Sequence, residues 1–288
     1  MVRRKLACFN GNFNPYNLTC HPQFLPASFD LNRELVKFVS YFTRRQLKNL
    51  DNYWIIKPTN SKSSMDVFIT NNLNAIIRLR STQSRVAQSY IAKPLLFHRP
   101  DTRKLVKFEL KYFVVVTSVL PLKLFVYRGF QVDLANEAYE HPYDHLYNQE
   151  MHLTDMSIFS GEVERLDMSH IEFIRYFDSQ FKYLNFDFDK VDSQTMSAIR
   201  VLFELSTEKF PFAAISHNTG SSALYQVDVL LSWVEQSQYG PALPVQSNII
   251  ECNLNPNCAV ICRSFPSFYN ELFELMFFDK EDGNFRAI

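Results

Sequence analysis

The alternation of apolar and polar positions divides the chain into segments of helical and of strand character. Apolar residues at helical spacing predict helices over residues 30–48, 163–181, 193–208 and 267–278, with Asp30 as the N-cap of the first. Residues 67–78 fit either a short helix or a helix–strand pair. Stretches rich in β-branched and aromatic residues predict strands over residues 53–57, 86–91, 106–119, 122–132, 223–230 and 245–254. Helices mixed with mainly antiparallel strands indicate the α+β fold class.

A long loop rich in Asn, Asp, Glu, His and Tyr is predicted after the strand at residues 122–132. His141 and His145 have the spacing of a zinc pair on a helix, but Pro142 disfavours a helix there. We therefore predict a solvated loop that includes His152. The cysteines follow no familiar zinc spacing either, so reduced, buried thiols are expected at Cys252, Cys258 and Cys262.

Composition narrows the class of protein. The chain has 288 residues, of which 47% are hydrophobic and 27 are Phe, so a disordered or collagenous protein is excluded. Only six Gly are present, which disfavours folds built on several glycine-rich loops. The longest apolar region, residues 112–130, is interrupted by polar residues and Pro121, and we interpret it as two strands. We expect a cytoplasmic protein without contact to membranes.

The charge is balanced overall but not along the chain. There are 30 Lys and Arg and 30 Asp and Glu, for a formal net charge of +0. Residues 1–107 carry 18 basic and 5 acidic residues, and the remainder carries 12 and 25. A basic half could bind phosphate, nucleic acid or an acidic protein, and an acidic half could hold a metal ion. Charge alone does not decide between these.

Two of the predicted strands carry a candidate metal site. Asp228 interrupts an apolar strand, and Glu251 and Asn253 lie two residues apart on the next strand, so they share one face. Two carboxylates and an amide oxygen suit Mg²⁺ with bound phosphate. The alternative is the ordinary polar face of a half-solvated sheet.

Two further features carry positive charge. Lys57 ends the strand WIIKP, where it could meet a phosphate or simply lie at the surface. Lys107, Glu109 and Lys111 alternate with apolar residues, so one face of their strand is charged, which a solvated strand would equally explain.

Taken in order, five blocks of sequence resemble the tubulin–tyrosine ligase-like family over about residues 25–279. They are WIIKP, AQSYIAKPLLF, KFELKYFVVVTSVLPLKLFVYRGF, YQVDVLL and IIECNLNP. PLKLFVY and the NPNC at residues 255–258 are similar to one branch of that family. The resemblance implies an ATP-grasp fold, with two α+β subdomains that grip ATP. It also implies ligation of an amino acid to tubulin or another protein through an acyl phosphate.

The resemblance also assigns site residues. It implies that Lys57 binds phosphate, that Gln88, Tyr90 and Ile91 hold adenine, and that Lys107 is a second nucleotide lysine. It implies the catalytic positions for Glu109 and Lys111, and Mg²⁺ ligation for Asp228, Glu251 and Asn253. ATP and Mg²⁺ are therefore the expected cofactors, and tubulin or another acidic protein is the expected partner. Such a partner implies that the cytoplasmic protein is associated with microtubules or also nuclear.

The chain departs from the family pattern at three places. No glycine follows Pro58 in the segment TNSKSSMD, although family members carry a glycine-bearing loop there. Lys111 stands where the family has an arginine, and a lysine does not reproduce the bidentate grip of arginine. Asp133 stands where another arginine is expected. We predict weak Mg²⁺-dependent nucleotide binding with little or no ligase activity.

The resemblance also predicts a domain arrangement. Residues 1–50 form a lead-in and helix, residues 51–97 a partial first ATP-grasp subdomain, and residues 98–288 the second subdomain with the metal site. The N-terminal domain of the family is expected to be absent, as in a fragment or a short isoform. Three functions remain open: an ATP-dependent ligase, a catalytically impaired protein that binds nucleotide or tubulin, and, less favoured, a nucleic-acid-binding module.

Overall fold

The computed structural model describes residues 18, 22–59, 66–79, 83–141, 143–154, 166, 168–184, 186–208, 221–234, 244–281 and 283–288. The chain forms two compact units. The first comprises Met1–Lys107 and Leu134–Arg165, and the second comprises Phe108–Asp133 and Leu166–Ile288. No helix among the described residues is long and apolar enough to cross a membrane.

The first unit is built on a four-stranded antiparallel sheet. Its elements are β1 (Ser28–Asp30), α1 (Leu35–Leu47), β2 (Trp54–Pro58), β3 (Phe68–Thr70), α2 (Leu73–Arg78), β4 (Arg85–Ser89), β5 (Phe97–His98), β6 (Leu105–Val106) and α3 (Gln149–His152). The order of the four strands in the sheet is β1-β4-β2-β3. One face of this sheet packs on helix α1, where the fully buried Trp54 meets Phe38 edge-to-face at 4.9 Å between ring centroids.

The second unit contains a five-stranded sheet with helices on both faces. Its elements are β7 (Phe108–Val119), β8 (Leu122–Leu134), α4 (His170–Phe181), α5 (Phe188–Glu208), β9 (Ala223–Trp233), β10 (Val245–Leu254), α6 (Cys258–Ser264), α7 (Phe268–Phe278) and β11 (Phe285–Ala287). The order of the strands in the sheet is β10-β9-β7-β8-β11. Tyr112 points to the face covered by helices α4 and α5, and its neighbour Phe113 points to the face covered by α6 and α7. The α+β prediction is confirmed.

Several predicted boundaries are wrong for local reasons. Helix α1 does not begin after Asp30, because the Asp30 carboxylate accepts the backbone N–H of Asn32 in a turn that closes β1. Helix α5 begins at Phe188, five residues early, because the Asp178 carboxylate accepts the Phe188 backbone N–H and fixes the start. Helix α4 begins at the capping box of Ser169 and Glu172. Residues 163–165 of its predicted start lie outside the described residues.

Candidate functional site

A row of charged side chains crosses the sheet of the second unit. Lys111 on β7 is the register partner of Asp228 on β9, which in turn pairs with Glu251 on β10. Directly paired residues of antiparallel strands point to the same face. Asp133 on β8 extends the row, because its carboxylate forms an ion pair with the Lys111 ammonium. One face of the sheet therefore carries three carboxylates around one amine.

A β-bulge brings Glu251 into this row. Ile249 pairs with Val229, and the register then shifts so that Glu251 pairs with Asp228. Without the extra residue, Glu251 would face Val227 and point to the opposite side of the sheet. Past the bulge, Asn253 pairs with Gln226, the residue two positions before Asp228. The shared face predicted for Glu251 and Asn253 is confirmed, and Asp228 lies on it too.

Burial and crowding of carboxylates set the charge of the row. Burial raises the pKa of Asp228 to about 7; repulsion from Glu251 and Glu109 adds to this rise, and the Lys111 ammonium acts against it. The Gln226 side-chain amide donates to the Asp228 carboxylate at 2.7 Å. Burial alone would lower the pKa of Lys111, but Asp133 and Asp228 together raise it above its usual range. The row has more acidic than basic groups.

The donor set fits a hard divalent cation. No three His, Cys, Asp or Glu side chains group as metal ligands in the part of the chain that the structure describes. The candidate set is instead two carboxylates, Asp228 and Glu251, with the amide oxygen of Asn253 on the same face. Mg²⁺ is usually held by one or two carboxylates, with phosphate and water completing its octahedron. Metal ligation by these residues stays a prediction.

The first unit places two of the expected nucleotide residues on one polar face. Gln88 pairs with Ile55 and Lys57 pairs with Val86, so Lys57 and Gln88 point away from the Trp54 core. Both side chains are buried, and the Gln88 amide donates to the Ser28 hydroxyl at 3.2 Å. Ile91 follows β4 and is half-buried. The register thus groups Lys57 with Gln88, while binding of a nucleotide by them stays a prediction.

A second group in the first unit surrounds Lys107. The interpretation of Lys107 as part of a solvated strand face is wrong, because the residue is only 4% exposed. Its amine lies 4.9 Å from the ring centroid of Tyr90 and donates to the backbone carbonyl of His152 at 3.1 Å. The Tyr90 hydroxyl bonds to Nδ1 of His152 at 2.7 Å. The structure therefore joins two expected site residues through His152, which sequence reasoning had placed in solvent.

His152 was missed because its neighbours suggest an exposed loop. The structure leaves His141 and His145 exposed, as predicted, whereas His152 is 3% exposed and ends the short helix α3. Pro142, which entered the prediction, lies outside the described residues. One usable signal was Asn148, whose side chain accepts the backbone N–H of Met151 and starts α3.

The cysteine prediction is partly wrong. Cys252 is buried on β10, whereas Cys258 and Cys262 are exposed on α6. The Tyr269 hydroxyl donates to the Cys258 sulfur. Buried thiols are therefore confirmed for one residue of the three.

The buried His152 predicts a pH-dependent stability. Burial, with the nearby charge of Lys107, lowers the pKa of His152 to about 4, against about 6.5 in an unfolded chain. Above about pH 6.5 the His152 imidazole is neutral in both the folded and the unfolded chain. Stability is therefore lost only below that pH, where the unfolded chain takes up a proton and the folded chain does not. We expect the free energy of unfolding to fall by up to about 3 kcal/mol between pH 6.5 and 4. Urea unfolding of the protein and of His152→Gln across this range measures it; equal slopes would contradict the assignment.

The two larger antiparallel sheets, each with helices packed against it, define an α+β protein and fit the ATP-grasp-like fold that the resemblance implies. The model of the tubulin-tyrosine ligase family matches residues 4–284. The chain belongs to this family.

Individual relatives agree with the branch expected from PLKLFVY and NPNC. Tubulin–tyrosine ligase-like protein 12 of Mus musculus is 37% identical over 262 residues, which cover 91% of this chain and 40% of the relative. The Homo sapiens protein of the same name is 37% identical, with 91% and 39% covered. Tubulin glycylase 3E of Tetrahymena thermophila is 26% identical over 261 residues, with 86% and 17% covered. The chain thus spans about two fifths of the length of the first two relatives.

Proposed function

We propose that this chain supplies the nucleotide- and metal-binding part of an ATP-dependent carboxylate–amine ligase that modifies tubulin or another protein. The observation that carries the proposal is the bulge in β10, which turns Glu251 and Asn253 onto the face of Asp228. A register change that crowds carboxylates is costly for stability and is typical of functional sites. Relatives named as a tubulin glycylase and a tubulin polyglutamylase support tubulin as the acceptor.

The proposed roles follow from charge and burial. In the first unit, Lys57 and Lys107 are buried cations suited to phosphate, and Gln88 offers an oriented amide. Tyr90 and Ile91 follow β4 and supply backbone groups for a base. In the second unit, the oxygen set of the charged row would hold Mg²⁺, which, when bound, neutralises charge on the transferred phosphate. Glu109 and Lys111 would lie at the reacting end.

The ion pair between Lys111 and Asp133 favours a second candidate, a protein that binds nucleotide or tubulin without ligation. A cation that orients a substrate carboxylate must be available to that carboxylate. The Lys111 charge is already shared by the Asp133 and Asp228 carboxylates of its own sheet. Because the Lys111 charge is neutralised within the sheet, this pairing predicts a protein that binds nucleotide or tubulin but transfers no amino acid.

Two measurements on the full chain separate these candidates. Calorimetry with ATP, with and without Mg²⁺, tests binding, and we expect weak, Mg²⁺-dependent affinity. Mass spectrometry of tubulin incubated with the protein, ATP and labelled tyrosine, glutamate and glycine tests transfer, and we expect little or none. Transfer that disappears in Glu251→Gln would establish the ligase, binding alone would establish the second candidate, and no binding would contradict both. Cytoplasmic localisation at microtubules is part of the proposal.

A further inference from the structure

The hydrogen bonds around His152 fix its protonation. Its Nε2 lies 3.0 Å from the backbone carbonyl of His145, which can only accept, so Nε2 carries the proton. Nδ1 is then an acceptor, and the Tyr90 hydroxyl at 2.7 Å donates to it. The Tyr139 hydroxyl lies 2.9 Å from that of Tyr90 and 3.2 Å from the Ala92 carbonyl, both of which can accept its proton. One neutral tautomer therefore satisfies both ring nitrogens of His152, and Tyr139 has one proton for either of its two acceptors.

The same residue orients Lys107 through its backbone. The His152 carbonyl accepts from the Lys107 amine, and the rings of Tyr90 and Tyr139 lie 4.9 and 5.7 Å from that amine. Cation–π contact at these distances is favourable, more so for a desolvated amine. These three contacts come from uncharged groups, and together they orient the amine. The side chain of His152 in turn pins its own carbonyl, because it is held at both ring nitrogens.

We propose that His152 is a positioning residue that locks the Lys107 amine and Tyr90 into one fixed arrangement for nucleotide binding. The proposal rests on the proposed function, since it assigns the purpose of the arrangement to a nucleotide. The residues that face His152 fit this role: Lys107 disfavours its protonation, and Tyr90, Tyr139 and His145 each bond to or border the neutral ring. A charged imidazolium could not accept a hydrogen bond from Tyr90, so the lowered pKa of His152 preserves this contact.

Four variants test the lock. His152→Leu removes both side-chain bonds of His152. Tyr90→Phe removes the hydroxyl that bonds to Nδ1 and to Tyr139, and His152→Asn keeps an acceptor near the position of Nδ1. We expect His152→Leu and Tyr90→Phe each to weaken Mg²⁺–ATP affinity about tenfold, the value of one hydrogen bond near a charged group. The double variant should be little weaker than either single variant, because both break the same contact. His152→Asn should recover most of the affinity.

A second readout does not depend on nucleotide. Acylation of Lys107 by an amine-reactive ester, followed by mass spectrometry with the exposed Lys280 as internal reference, reports how firmly the amine is held. We expect about tenfold faster acylation of Lys107 in His152→Leu. Should the natural protein bind no ATP, the proposed function fails, and this rate still decides the positioning role. Unchanged acylation, or unchanged affinity in both His152→Leu and Tyr90→Phe, would overturn the inference.

Discussion

Replacement of Lys111 by methionine is expected to lower the free energy of unfolding by about 3–5 kcal/mol, the typical cost of removing one partner of a buried ion pair. Methionine keeps the apolar stem but leaves Asp133 and Asp228, both only 6% exposed, without their shared cation. The loss should shrink toward pH 5, because carboxylates that have lost a cation take up protons more readily. Urea unfolding at pH 7 and pH 5 measures both effects.

A matched control lies in the same unit. Lys280 pairs with Glu274 at 3.0 Å, but their side chains are 53% and 49% exposed. Lys280→Met should therefore cost less than about 1 kcal/mol. The double variant Lys111→Met, Asp133→Asn should be more stable than the sum of its single variants predicts, since it removes both ends of one pair. Equal losses for Lys111→Met and Lys280→Met would show that the buried row contributes no more than a surface pair.

The long strands of the second unit were predictable because their sequence is unambiguous. Residues 108–119 and 122–134 are rich in β-branched and aromatic residues, and the structure shows strands over both. Their pairing was not predictable, because strand register depends on tertiary contacts and on bulges that leave no mark in the hydrophobic pattern. The position of Glu251 opposite Asp228 depends on such a bulge. The sequence could propose the three metal ligands and place Glu251 and Asn253 on one face, but only the register shows that Asp228 lies on that face too.

At Asp133, too, the sequence indicated an unusual residue, but only the structure shows its partner. The resemblance to the family marked Asp133 as a reversed charge and Lys111 as a weakened one, and treated them as two separate losses. The structure shows that they pair with each other, so one change compensates the other inside the sheet. His152 shows the opposite case. Its burial arises from Tyr90, 62 residues away in the chain, and no local pattern could report that contact.

Replacement of Glu251 by glutamine should separate function from stability. Glutamine has nearly the same shape, but it removes one of the carboxylates whose repulsion raises the pKa of Asp228. We therefore expect the free energy of unfolding to stay level or rise by up to about 1 kcal/mol, as is common when a strained functional site is relaxed. Mg²⁺-dependent ATP binding should weaken by about a hundredfold or more, because even outer-shell partners of metal ligands are worth 10- to 100-fold.

The control is Glu274→Gln, which removes an exposed carboxylate of the same unit. It should change neither the stability by more than about 0.5 kcal/mol nor the Mg²⁺ dependence. Calorimetry with ATP at several Mg²⁺ concentrations, alongside urea unfolding, gives both quantities for each variant. A Glu251→Gln protein that is less stable but binds Mg²⁺–ATP normally would mean that the carboxylate is structural. The row would then be an ordinary polar face of the sheet, since the removal of a true metal ligand lowers the affinity for the metal.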